Sequence, residues 1–213
     1  MIRLVITMLF LFGANYLQAE SPRVVSLSPS LTELVCELGF KYCLVGRSSA
    51  CDYPKEVLAL PVVGDFGRPN LEAVLKIHPD VVLFTDLEKP GVLEKLNDMN
   101  IKAMTLSCEG WDALLQAART IATALGDPAR GESWAKSAQE RRERLLHRVD
   151  TFYQVRKRPK VYVEIWGDPL TTAGKGSFVN ELVTWAGGIP LGGELQASYA
   201  QVSHEWILRQ IRM

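Results

Sequence analysis

The residues whose types could support covalent or metal chemistry are few in this 213-residue chain: four cysteines, three histidines and one glycine-lysine-glycine-serine run. Cys36, Cys43, Cys51 and Cys108 all lie in the first half and have neither CxxC nor zinc-knuckle spacing. They read as one or two disulfides or as buried free thiols, and the sequence does not choose among the pairings. A nucleophilic thiol needs a lowered pKa and a partner group, and no pattern here identifies one. His78 precedes a proline turn, His147 falls in a charged helical stretch and His204 opens a late helix, so the three share no metal-ligand spacing. Gly174-Lys175-Gly176-Ser177 looks like part of a phosphate loop, but the earlier glycine such a loop requires falls at Pro169. No GxSxG elbow or HExxH pair occurs. The expectation is a protein with no catalytic centre, metal site or cofactor.

Binding chemistry has better support, at the places where strands give way to helices. Open α/β sheets hold ligands beyond the carboxyl ends of their strands. Ser28-Pro29-Ser30 follows the short strand run Val24 to Leu27 and starts a helix, so its free backbone N–H groups can receive a ligand oxygen. The cap is Ser28 or Ser30, and Ser30 with Glu33 fits a capping box. Trp166 and the glycine-rich Gly174 to Gly176 hold the matching place in the second half. Phe66 before Gly67, and Tyr199 before Gln201, are aromatics on loops just ahead of two similar helix starts. Two rings facing across a cleft would clamp a flat or bulky ligand, whereas core packing is the plain reading of each ring taken singly. The candidate ligand-binding residues are therefore Ser28, Pro29, Ser30, Phe66, Gly67, Trp166 and Tyr199.

These positions need elements to hold them. Arg3 and the apolar run Leu4 to Ala14 have the length of a signal-peptide core and are short for a membrane span, so residues 1–19 read as a cleavable secretion signal, with an uncleaved anchor as the rival. Lys plus Arg balances Asp plus Glu at 24 each, which gives no basic field for nucleic acid. Residues 22–110 alternate strand and helix signals, with apolar runs such as Val81 to Phe84 that indicate a parallel sheet covered on both faces. A strand is also expected at Pro61 to Gly64. Residues 111–158 lose the strand signal. Gly126-Asp127-Pro128 separates two helices there, the second a charged strut of roughly 40 Å. Residues 159–213 restart the α/β pattern with the strand Lys160 to Trp166.

The restart echoes the beginning. Thr32-Glu33-Leu34-Val35 returns as Asn180-Glu181-Leu182-Val183, and Asn70-Leu71-Glu72 returns as Ser203-His204-Glu205. The predicted fold is α/β, with two three-layer lobes of mostly parallel sheets joined by one long rigid helix. The second copy stops where the first continues into a strand, so the second lobe is expected to be truncated.

In this order the residues resemble the substrate-binding proteins of ABC importers for cobalamin, ferric siderophores and haem. Arg23 to Leu34, Cys51-Asp52-Tyr53-Pro54, Val63-Gly64, Asn70-Leu71-Glu72, Lys76 to Leu83, Pro169-Leu170 through Gly174-Lys175, and Gln201 to Glu205 look like its successive landmarks. The nearest branch looks like the cobalamin receptors, although Phe66 and Tyr199 stand where that branch often carries tryptophans. The resemblance implies a non-enzymatic, monomeric periplasmic receptor. It would take a corrinoid between its lobes, or a metal chelate such as a ferric siderophore or haem. Its partners would be inner-membrane permease subunits, docked through Glu72 and Glu205. A hydrolase on the same scaffold and a relic that no longer binds are the readings from other classes.

Overall fold

The computed structural model describes residues 21–85 and 91–212, so the signal expected at residues 1–19 lies outside the described residues. β1 (Val24–Ser26) leads through a buried turn to α1 (Pro29–Glu37), and β2 (Leu44–Arg47) follows. A two-stranded hairpin, β3 (Gly64–Asp65) and β4 (Arg68–Pro69), then precedes α2 (Leu71–Lys76). β5 (Val81–Phe84), α3 (Val92–Asp98) and β6 (Lys102–Thr105) complete a parallel sheet in the order β2-β1-β5-β6.

The period-2 alternation of each strand divides this lobe into two cores. Val24, Val81 and Leu83 pack with Leu34 and Val35 of α1, while Val25, Val82 and Phe84 pack with Val74 of α2 and Leu96 of α3. Both faces of β1 and β5 are therefore dry, which is why β5 is a continuous apolar run and β1 is apolar apart from the buried Ser26.

Two local expectations are corrected. The cap of α1 is Ser28, but no side chain bonds the first amides, so the capping box of Ser30 and Glu33 does not form. The strand expected at Pro61 to Gly64 reduces to a single parallel bridge between Val62 and Arg47, and Gly64 begins the hairpin instead. The reason is Arg47. Its buried guanidinium donates to the carbonyls of Ser48, Cys51 and Val57, which holds the intervening loop against the end of β2. All four cysteines are free thiols.

α4 (Trp111–Ala124) and α5 (Pro128–Tyr153) form an antiparallel pair, and Leu115, Ala135 and Ala138 build a further core between them. Asp127 caps α5 by accepting from the Arg130 N–H, with Pro128 in the first turn. Arg130 in turn reaches the Leu38 and Gly39 carbonyls just past α1 and lies 4.7 Å from the Phe40 ring centroid. α5 runs for 26 residues, roughly 40 Å of helix. It meets α4 at Gly131, where an added Cβ would lie 2.7 Å from the Ala122 Cβ and 3.0 Å from the Ala118 carbonyl oxygen.

Beyond the strut come β7 (Lys160–Val161), β8 (Glu164–Gly167), β9 (Leu170–Ala173), α6 (Phe178–Trp185), β10 (Ile189–Pro190), β11 (Tyr199–Gln201) and α7 (His204–Arg212). The run Lys160 to Trp166 is two strands rather than one. β7 pairs in parallel with β10, whereas β8, β9 and β11 form a separate antiparallel sheet in the order β11-β9-β8. The turn at Asp168-Pro169 folds β8 directly onto β9, so hairpin pairing replaces a parallel crossover at this point.

The close approach at Gly131 yields a prediction. Gly131→Val should destabilise the protein by about 1–3 kcal/mol through overpacking, because the opposing atoms are a methyl and a main-chain carbonyl that cannot rotate away. Denaturant titration measures this, and an unchanged midpoint would contradict the packing.

Candidate ligand cleft

All strands of the first sheet run in one direction, so their carboxyl ends share one edge. The chain leaves β1 there at Ser28 and β6 there at the segment leading to Glu109. The Val62 bridge runs parallel to β2 and onward past its end, with the Gly64 carbonyl accepting the Ser49 N–H, so the β3–β4 hairpin stands at the same edge. Phe66 and Gly67 form the tip of that hairpin, and the Phe66 ring is 41% exposed.

The start of α1 is fixed from below by buried polar contacts. The Thr32 hydroxyl donates to the Ser26 hydroxyl at 2.8 Å and approaches the Ser28 carbonyl at 2.9 Å. The Cys51 thiol lies 3.1 Å from both the Thr32 and Ser48 hydroxyls. The Ser28 hydroxyl is taken up by that of Ser30 at 3.0 Å and does not occupy the helix amides. Cys108 lies beside Ser30. Burial pushes its thiol pKa up, the Ser30 hydroxyl pulls it down, and the Glu109 carboxylate pushes it up.

The second lobe offers the antiparallel sheet. Tyr199 pairs with Ala173, Gln201 with Thr171, and Trp166 with Thr171, so the side chains of Trp166, Tyr199 and Gln201 share one face. A bulge at Ile165 puts Trp166 on that face. The Tyr199 hydroxyl donates to Glu109 Oε2 of the first lobe at 3.3 Å, so this face looks at the edge that carries Ser28 and Ser30. Burial raises the Tyr199 phenol pKa, and the neighbouring Glu109 charge and hydrogen bond raise it further. The Trp166 ring is 65% exposed, with its indole N–H donating to the Asp168 carbonyl. Two hollows, about 680 Å³ beside Phe152 and Tyr153 and about 340 Å³ beside Trp134 and Trp185, flank α5, and none of the sequence-derived site residues lines them.

Glu72 and Glu205 lie elsewhere, each in the first turn of an exposed helix. Asn70 caps α2 by accepting from the Ala73 N–H, and Ser203 caps α7 by accepting from the Trp206 N–H. Each glutamate stands two residues after its cap, and neither makes an ion pair among the described residues. The Glu205 carboxyl pKa is lowered, first by its own backbone N–H and then by the Ser203 hydroxyl.

Residues 24–212 match the family described as "Periplasmic binding protein". The chain belongs to that family. It is 28% identical over 207 residues to a vitamin B12-binding protein of Pectobacterium atrosepticum, covering 96% of this chain and 74% of the relative. A periplasmic heme-binding protein of Pseudomonas aeruginosa superposes with a TM-score of 0.80 at 27% identity, over 89% of this chain and 69% of that one. The periplasmic vitamin B12-binding protein of Vibrio cholerae shares the fold, with a TM-score of 0.70 at 23% identity and coverage of 89% of this chain and 73% of that one.

This member of the periplasmic binding protein family also ties its lobes together between α4 and α6, through contacts that the echo containing Glu181 does not reveal. Glu181 of α6 accepts the Trp111 N–H at 3.1 Å, so a second-lobe carboxylate caps the first turn of α4, where Gly110 offers no side chain. Trp111 meets Trp185 edge to face at 5.3 Å, and the Arg142 guanidinium lies 4.5 Å from the Trp185 ring centroid. A carboxylate at a helix N-terminus is stabilising. Glu181→Ala should therefore cost about 1 kcal/mol and speed hydrogen exchange at the Trp111 amide. Unaltered exchange there would rule out the cross-lobe cap.

Proposed function

We propose that this chain is an extracytoplasmic receptor that captures a corrinoid between its two lobes and hands it to an ABC importer, and that it catalyses no reaction. The observation that carries the reading is the Tyr199–Glu109 contact, because it turns the exposed aromatic face of the second lobe toward the helix start of the first. Exposed aromatic surface within a cleft suits a large, partly apolar ligand. The named B12-binding relatives support the corrinoid, and the family supports a periplasmic location reached through a signal on residues 1–19. The structural likeness to a heme-binding protein supports haem as the second reading, with a ferric siderophore in the same class.

In this proposal Phe66, Trp166 and Tyr199 supply the apolar walls. Ser28, Pro29 and Ser30 form the start of α1, whose first amides no side chain caps, and Gly67 lets the hairpin tip approach the ligand closely. Tryptophan quenching with cyanocobalamin, hemin and a ferric siderophore tests it. Phe66→Ala and Tyr199→Ala should each weaken binding by about 1–3 kcal/mol while circular dichroism stays unchanged. Full affinity in both folded variants would remove the clamp.

Glu72 and Glu205 are proposed to dock the importer's membrane subunits. What supports this is their equivalent placement, each two residues beyond its helix cap, exposed and without an ion-pair partner among the described residues. Charge pairs at an interface rim act mainly on association rate and its salt dependence. Reversing both to Lys should slow association with importer-containing proteoliposomes by about tenfold or more at low salt, and leave ligand affinity intact. An unchanged association rate would eliminate docking, and lost ligand affinity would put the two glutamates in the cleft instead.

A further inference from the structure

We propose that Glu109 determines which ligands the cleft accepts, by holding an unneutralised carboxylate where the two lobes meet; the inference rests on the receptor reading and specifies its ligand class. Glu109 lies four residues beyond the end of β6, next to Cys108, and its Oε2 accepts from the Tyr199 hydroxyl of the opposite lobe. It is exposed, and none of the ion pairs among the described residues includes it. Arg68 and Lys175, the cations of the loops that carry Phe66 and the glycine-rich turn, are exposed and do not pair with it.

The two titratable neighbours report the local field. The Cys108 thiol and the Tyr199 phenol are both pushed up, chiefly by burial, and Glu109 is the one charged group that acts on either. Among the described residues, no cation acts on either group. The hydroxyls of Ser28 and Ser30 at this edge are uncharged.

An ionised carboxylate is an acceptor only, and Tyr199 fills one of its lone-pair sites. A ligand that enters must supply N–H or O–H donors to the others, or be repelled if it brings its own carboxylate. As the ligand displaces water the repulsion grows, because the effective dielectric falls. The cleft therefore suits a bulky ligand rimmed with primary amides, as a corrinoid is, and disfavours one rimmed with carboxylates, as haem is.

The experiment measures dissociation constants for cyanocobalamin and hemin by tryptophan quenching, for wild type, Glu109→Gln and Glu109→Arg, at low and high salt. Wild type is expected to prefer cyanocobalamin. Glu109→Arg should tighten hemin by about tenfold and weaken cyanocobalamin, with the hemin gain shrinking at high salt. Glu109→Gln, which keeps shape and an acceptor, should give a smaller hemin gain and keeps the test open if the arginine variant misfolds. A ratio of the two affinities that does not move in either folded variant overturns this inference alone, whereas wild type that prefers hemin overturns the corrinoid reading together with this inference. Wild type that binds neither ligand overturns the receptor reading, and this inference with it.

Discussion

The cleft depends on how closely α5 can approach α4. The two lobes share no sheet among the described residues, so their relative position is set by the strut and by what each end of it touches. At the first-lobe end Gly131 lets the strut backbone settle against Ala118 and Ala122, and Arg130 ties the same turn to the carbonyls beyond α1. At the other end Val149 and Tyr153 press on Gly187, whose φ of +87° closes α6. A side chain at Gly187 would both overlap Tyr153 and strain the backbone. Each end is thus a close contact that admits no side chain, and a rotation of the strut would have to open one of them. Packed helices of this kind move little unless the small-residue contact is lost.

Much of the frame was legible in the sequence because local physics decides it. Gly126-Asp127-Pro128 marked the break between the two helices, since glycine ends one helix while Asp and Pro begin the next. The apolar runs at Val24 and Val81 announced a parallel sheet covered on both faces. The echo of Asn70 to Glu72 in Ser203 to Glu205 proved to be an echo of cap geometry as well. The fold and the family follow from such signals.

What stayed hidden is long-range. Glu181 and Trp111 are 70 residues apart, and nothing near either indicates that one caps the other's helix. Glu109 and Tyr199 are 90 residues apart and meet only because β6 ends where the second-lobe sheet turns its aromatic face. The direction of that sheet was missed for a different reason. The turn at Asp168-Pro169 folds β8 back onto β9 and puts a hairpin where a mostly parallel sheet was expected. Strand direction is set by the connection rather than by the strand's own residues, so apolar periodicity carries no information about it.

The contacts that join the lobes are unequal, and the inequality gives the cleft a direction of opening. Behind the cleft, Trp111 and Trp185 stack edge to face under Arg142, and Glu181 adds a charge-assisted hydrogen bond. At the mouth, the described residues show one hydrogen bond, of 3.3 Å, between two exposed side chains, Tyr199 and Glu109. Aromatic contacts contribute roughly 0.5–1.5 kcal/mol each beyond their buried area, whereas a single exposed hydrogen bond competes with water and contributes little. Separating the lobes at the mouth would break the single Tyr199–Glu109 hydrogen bond, whereas separating them at the back would break the aromatic and carboxylate contacts around Trp111.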